Sequence, residues 1–314
     1  MYKRNFCGIN PQKSRVVHMK IIECVPNFSE GWSRQKVLTI AAAVTASPGV
    51  KLLDICMDKD HNRGVLTFIG PPEALQTAAL AACSRALEII DMREHAGVHP
   101  RIGAVDVVPF IPLGDADMQD AVKVAHAFGR ELSQKNQIPV YFYGEAAMAS
   151  WKKELSDIRR GGYEALKEKM KDPRWLPDAG PAVFHERSGA TAVGARIPLI
   201  AFNINLQSDD LSIAQSIAKS IRQSDGGFPH VKALGIPLKS RRLVQVSMNL
   251  TDYRVTSIQT VFDRVREEAA HSGIDILESE LIGLLPRAAL ADATAEYLKL
   301  EDFSDKKFLE AHFD

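Results

Sequence analysis

The run Val50-Lys51-Leu52-Leu53-Asp54-Ile55-Cys56, the polar link Met57-Asp58-Lys59-Asp60-His61-Asn62-Arg63 and the run Val65-Leu66-Thr67-Phe68-Ile69 decide how this chain folds. Both apolar runs are short and rich in β-branched and aromatic side chains, which reads as two strands joined by a polar loop. Ahead of them lie a buried strand over 20–26 and a helix over about 33–46. That helix opens on Ser33 and stops before the turn signal Ser47-Pro48-Gly49. Behind them, Pro72 suits the first turn of an apolar helix reaching about residue 92, and 104–111 forms a fourth strand. The order is βαββαβ, the split arrangement of ferredoxin-like sheets.

A helix over about 116–133 and a strand over 138–143 extend this unit, and Gly144-Glu145-Ala146-Ala147 starts another helical piece. Residues 155–190 are rich in charge, Gly and Pro and are expected to be irregular; such segments are usually functional or linking. After Gly194-Ala195-Arg196 the pattern restarts: strand 199–205, helix 210–222, strands 231–238 and 243–249, helix 257–271, and a last strand within 274–285. The expected fold class is α+β: two ferredoxin-like (βαββαβ) α/β-sandwich subdomains with a cleft between them, a natural ligand site. The first subdomain spans 19–198. The second spans 199–314 and carries an amphipathic helical tail from 288, packed on the body or on a second subunit. Residues 1–18 are polar and basic without an apolar core, so they are expected to be a disordered extension and not a secretory signal.

The totals narrow the function. A length of 314 residues suits two moderate domains, and 46% hydrophobic with 25% charged residues is ordinary for a globular protein. The formal net charge of +0 gives no field that would attract nucleic acid or an anionic membrane, which favours small-molecule substrates. Cys7, Cys24, Cys56 and Cys83 are scattered without a CxxC pair; they read as reduced thiols of a cytoplasmic protein, with no metal site. No GxGxxG, GxxxxGK[ST], HExxH or GxSxG occurs, which argues against dinucleotide, nucleoside-triphosphate, zinc-protease and α/β-hydrolase chemistry.

Four stretches carry chemistry. Glu94-His95-Ala96-Gly97-Val98-His99-Pro100-Arg101 joins a helix to a strand and holds two histidines and an arginine. A histidine there can take a proton from an amine nucleophile, and Arg101 can hold a carboxylate in bidentate fashion. The bland alternative has His95 and His99 capping helix carbonyls. Asp106 orients a histidine only if the fold turns it back. In the loop ahead of residue 65, Asn62 and Arg63 face either an anionic substrate or plain solvent. Asn27, Ser29 and Glu30 sit at a strand-to-helix junction, where anion contact and N-capping explain them equally well. The fourth stretch, 184–196, is either a close backbone approach to a flat ligand or a flexible linker.

Taken together, several strings resemble the formiminotransferase family: Glu23-Cys24-Val25-Pro26-Asn27-Phe28-Ser29-Glu30-Gly31, Asn62-Arg63, His99-Pro100-Arg101-Ile102-Gly103-Ala104-Val105-Asp106-Val107, Pro139-Val140-Tyr141-Phe142-Tyr143-Gly144-Glu145-Ala146-Ala147, Gly189-Ala190-Thr191-Ala192-Val193-Gly194-Ala195-Arg196 and Leu199-Ile200-Ala201-Phe202-Asn203-Ile204-Asn205-Leu206. They stand in family order over about residues 20–290. The resemblance implies transfer of the formimino group from N-formimino-L-glutamate to N5 of tetrahydrofolate, the co-substrate, in histidine breakdown. It implies a homodimer and a stand-alone transferase. It places the catalytic histidine on His99. Substrate contacts are expected at Asn27, Ser29, Asn62, Arg63, Arg101, Tyr143 and Glu145, and folate contacts at Gly180, Pro181, Phe184, Ser188 and Gly189. Two departures stand out. Cys56 occupies a position where relatives carry an acid, for which Asp58 or Asp60 can substitute, and His185-Glu186-Arg187-Ser188 leaves the folate-segment pattern. The alternatives are another folate one-carbon activity, such as conversion of 5-formyltetrahydrofolate, and a folate-binding protein without turnover.

Overall fold

The computed structural model describes residues 20–301 and 303–312; the expected extension over 1–18 lies outside them. The first sheet is built from β1 (Lys20–Cys24), β2 (Asn27–Phe28), β3 (Lys51–Asp58), β4 (Arg63–Gly70), β5 (Val105–Gly114), β6 (Val140–Gly144) and β7 (Thr191–Ala195). Its strands run β3-β4-β1-β5-β7-β6. The four strands of the first βαββαβ unit are antiparallel neighbours, and β7 and β6 add on in parallel beside β5. Pro26 has no N–H to give a ladder, so the lane between β4 and β5 breaks there. It resumes as β2, where Asn27 pairs with Val65 and Val107.

Helices α1 (Arg34–Thr45), α2 (Pro72–Ile89) and α3 (Met118–Asn136) cover one face of this sheet. Alternation along the strands explains why. Ile22, Cys24, Leu66, Phe68, Val108 and Phe110 point at the helices and are fully buried with Val37, Ile40, Leu75, Ala79 and Phe128. The intervening positions Glu23, Val25, Arg63, Val65, Thr67, Val107 and Pro109 point the other way, into a cleft.

The second sheet holds β8 (Ile200–Leu206), β9 (Val231–Leu238), β10 (Leu243–Leu250) and β11 (Ile276–Ile282) in the order β11-β8-β10-β9, all antiparallel. Helices α6 (Leu211–Ile221) and α7 (Ile258–His271) back it through Ile217, Ile221, Val261, Phe262 and Val265. Its other face turns toward the first sheet. There Asn203 and Asn205 alternate with buried Phe202 and Ile204, and Gln245, Ser247 and Asn249 alternate with Val246 and Met248. Each half thus has an apolar face under helices and a partly polar face toward the cleft. At one end the halves meet through an apolar cluster of Ile69, Ile111, Leu113, Leu284 and Leu309. Polar ties join them elsewhere: the Ser240 hydroxyl donates to Asp60 at 2.5 Å, and Lys307 pairs with Asp54 at 3.2 Å.

Three expectations are corrected. The stretch over 191–195 is neither linker nor ligand loop but the buried strand β7; its small residues Thr, Ala, Val and Gly lack the bulk that marks a strand in sequence. The segment over 155–190 is less irregular than expected, since it forms α4 (Leu155–Arg159) and α5 (Gly162–Lys169), whose Ile158 and Leu166 pack on Tyr141 and Tyr143. The tail is not an α-helix. Among the described residues it makes short 3-10 turns at Arg287–Leu290, Asp305–Lys307 and Leu309–His312. It is held to the body by Leu298, Phe308 and Leu309 and by bridges from Leu300 to Ser279 and Phe308 to Leu285.

Candidate functional site

A buried carboxylate organises the cleft wall. Asp106, second residue of β5, is fully buried. It accepts from the Arg63 guanidinium at 2.8 Å, from Arg159 through two nitrogens, and from the Ile102 backbone N–H at 3.0 Å. Burial alone would raise its pKa; Arg159 and Arg63 outweigh that and hold it below the ordinary carboxylate value. Asp106 therefore does not orient a histidine. It fixes two arginines drawn from β4 and α4, and Arg63 in turn donates to the Asn27 side chain at 2.9 Å.

His99 stands beside this group, half-buried on the cleft wall. Its Nδ1 lies 2.9 Å from the Pro100 carbonyl. A carbonyl only accepts, so Nδ1 carries the proton and Nε2 keeps its lone pair. Among the described residues Nε2 has no protein partner. Desolvation in the cleft, then the charges of Arg63, Arg159 and His61, press the His99 pKa well below that of a free histidine. The ring is neutral at pH 7, the state a proton acceptor needs. His61 lies alongside with ring centroids 5.7 Å apart, and its buried Nε2 also lacks a partner.

Charges around the cleft are asymmetric. Arg63, Arg159 and Arg196 line it, with Glu23 as the one carboxylate among the described lining residues. Arg196 follows β7 and donates to the Ile197 carbonyl at 3.0 Å, and its charge acts on Tyr143. From the second half, Asn203, Ser247 and Asn249 complete the wall. A second cavity of about 520 Å³ shares His61, Arg63, Val65, Asn203 and Ile282 with the first and extends to Arg241, Glu278, Glu280 and Lys307. It falls in the size range of a site for a drug-sized ligand. A neutral imidazole facing cations and one anion can take a proton from an amine held against a substrate of mixed charge.

The model of the formiminotransferase domain, N-terminal subdomain, matches residues 21–196, and that of the formiminotransferase domain matches 201–310. The chain is 45% identical over 294 residues to glutamate formimidoyltransferase of Thermoplasma acidophilum, covering 93% of this chain and 97% of that one. The chain belongs to the formiminotransferase family. It is also 41% identical to glutamate formimidoyltransferase of Streptococcus pyogenes, over 93% of this chain and 98% of that one. It is 44% identical to formimidoyltransferase-cyclodeaminase of Rattus norvegicus, over 90% of this chain and 53% of that protein.

Of the residues expected from this family, the structure brings His99, Asn27, Arg63 and Tyr143 together on the cleft. The others line neither this cleft nor the adjoining cavity. The Arg101 fork is taken by Glu164, at 2.8 and 2.6 Å, and its Nε donates to His95. His95 ends the short 3-10 turn Met92–Glu94, its backbone N–H donating to the Met92 carbonyl, while its ring bonds the Asn62 carbonyl at 3.0 Å. Asn62 ties two loops, accepting from the Gly31 N–H and donating to the Ala96 carbonyl, each at 2.8 Å. The Ser29 hydroxyl is buried and donates to the Gly103 carbonyl. Glu145 is exposed.

The segment with Gly180, Pro181, Phe184, Ser188 and Gly189 lines neither cavity. It braces the His99 loop from behind. The Arg187 and Ser188 carbonyls accept from the N–H groups of Met92 and Ala104, and Phe184 packs on Tyr163. Gly189 has φ +67, and a Cβ there would run into the Ile102 carbonyl. Gly189→Ala is therefore expected to cost about 1–3 kcal/mol of stability, read as a lowered urea midpoint; an unchanged midpoint would refute the bracing role. At Cys56 the thiol donates to Asp54 at 3.0 Å, and burial pushes its pKa up to about 11, so it stays protonated. Asp58 borders the second cavity and accepts from the His61 N–H, while Asp60 is spent on Ser240.

Sequence reasoning passed over Glu23, His61, Arg159, Arg196, Asn203, Ser247 and Asn249 as site residues. For Asn203, Ser247 and Asn249 a signal existed. Polar residues at alternate positions of an otherwise apolar strand mark a sheet face that no helix covers.

Proposed function

We propose that this chain transfers the formimino group from N-formimino-L-glutamate to N5 of tetrahydrofolate, giving 5-formiminotetrahydrofolate and L-glutamate. The observation that carries this reading is the free Nε2 lone pair of His99, set by the Nδ1–H bond to Pro100 and directed at a cleft. As N5 attacks the amidine carbon it acquires a positive charge and must shed its proton. His99 takes that proton and returns one to the glutamate nitrogen as the old C–N bond breaks, so the proton count balances within one turnover. Holding both substrates in one cleft removes much of the entropic barrier.

For the glutamate carboxylates we assign Arg196 and, with Asp106 behind it, Arg63. Arg101 is a weaker candidate because Glu164 occupies its fork. Asn203, Ser247 and Asn249 offer donors and acceptors suited to the polar edge of a pterin, and the adjoining cavity gives the rest of the folate room. We carry over from the resemblance a cytoplasmic homodimer, with subdomains over 19–198 and 199–314. Small molecules are its partners, not nucleic acid or membrane. The proton route asks for no metal. No helix among the described residues is long and apolar enough to cross a membrane.

The test offers N-formimino-L-glutamate and tetrahydrofolate to the purified protein and follows both products by mass spectrometry. Equimolar formation of L-glutamate and a formimino-bearing folate is expected. Folate binding without turnover would overturn the assignment, and so would turnover only of 5-formyltetrahydrofolate.

A further inference from the structure

Glu23 is the outlier of the cleft. Its neighbours Ile22 and Cys24 point under the helices and are fully buried, so alternation along β1 directs Glu23 to the opposite face. It lies centrally there, paired across to Ile69 on β4 and Ile111 on β5. Although only 4% exposed, its carboxylate makes no hydrogen bond or ion pair among the described residues, in contrast to the fully paired Asp106 of the same sheet. Its electrostatic neighbour is Arg196, and burial pushes its pKa up to about 7. A buried carboxylate left unpaired is costly, and proteins keep such groups where a ligand supplies the partner.

The proposed donor has the matching pattern. Its two carboxylates suit the arginines. Its third group, the formamidine, is a strong base and therefore a cation, planar, with N–H groups that can face one carboxylate in pairs. We propose that the Glu23 carboxylate binds the formamidinium group of the donor, holding the reacting carbon in the cleft and selecting a charged formimino group over a neutral formyl group. This inference rests on the transfer reading above and names the group that reads the transferred unit. Binding leaves an ion pair where the empty site holds an unpaired acid. A charge-assisted, desolvated pair of that kind favours the cationic ligand by roughly ten- to a hundredfold.

The experiment compares N-formimino-L-glutamate with N-formyl-L-glutamate, which keeps both carboxylates but carries a neutral formyl group of like shape, by calorimetry at pH 8. At that pH Glu23 is largely ionised even before binding. The wild-type protein is expected to prefer the formimino compound at least tenfold. Glu23→Gln should erase most of that preference while tetrahydrofolate affinity stays within about threefold, and Glu23→Asp, which keeps the charge, should restore part of it. A merely structural role would weaken both glutamate ligands and the folate together. If the wild-type protein binds the two ligands alike, or if Glu23→Gln retains the full preference, the inference falls while the transfer reading stands. Failure of the wild-type protein to bind the formimino compound at all would remove both. The wild-type comparison needs no variant, so a poorly folding substitution leaves it decisive.

Discussion

Replacing His99 with alanine is expected to lower kcat for formimino transfer by about 10²–10⁴, the usual worth of an oriented general base. KM should move far less, because Arg196 and Arg63, the proposed carboxylate holders, stay on the cleft wall and would bind substrate equally well before and during the chemical step. The Nδ1–H bond to Pro100 fixes which nitrogen acts, so His99→Gln, which has no basic lone pair at that point, should be as poor as alanine. The pH profile gives an independent check. Desolvation, with Arg63, Arg159 and His61, lowers the His99 pKa, and the ring works in its deprotonated form. At saturating donor, where the bound formamidinium keeps Glu23 ionised, kcat should therefore persist below the ordinary histidine range near pH 6.5 and fall only when acid reaches the depressed value. A variant within a few-fold of wild type in kcat, or an acid limb above pH 7, would remove His99 from the mechanism.

How much of this was legible without the structure depends on the physical distance over which each signal acts. The βαββαβ order was readable because hydrophobic period, Pro72 and Ser47-Pro48-Gly49 act within a few residues. The strand over 191–195 was not. Its burial comes from insertion between β5 and β6, which supplies the packing that Ala192, Val193 and Gly194 do not advertise. The tail misled for the opposite reason. Its apolar spacing fits a helix, yet bridges to Ser279 and Leu285 and the contacts of Phe308 and Leu309 use those residues in extended turns.

At the site, His99 was visible through its residue type and its loop. Arg101, two positions on, is just as reactive in type but is consumed by Glu164, a partner 63 residues away that local reading cannot see. Arg159 and Arg196 came from stretches read as irregular or linking, and only the fold brings them to the same wall. Asp106 was noticed for the wrong partner: β5 directs it to Arg63 and Arg159, 43 and 53 residues distant.

That misreading leads to the largest expected effect on stability. Asp106→Ala leaves two guanidiniums, each nearly buried, facing one another across a fully buried hole. Removing one partner from a buried ionic group typically costs about 3–5 kcal/mol, because the remaining charge keeps its desolvation penalty and loses its compensation. Here two charges lose it at once, and the Ile102 N–H is orphaned as well. Asp106→Asn is expected to fall between, since an amide still accepts from one arginine and the N–H but cannot neutralise either charge. The sign with pH follows from the depressed pKa. The ionised form stabilises the fold above the unfolded carboxylate pKa, and that contribution is lost as pH falls through the folded value. The gap in unfolding free energy between wild type and Asp106→Asn should thus be full at pH 7 and shrink toward acid, measured by urea denaturation across pH. A gap under about 1 kcal/mol at pH 7, or one that widens on acidification, would show that the arginines hold this wall without Asp106.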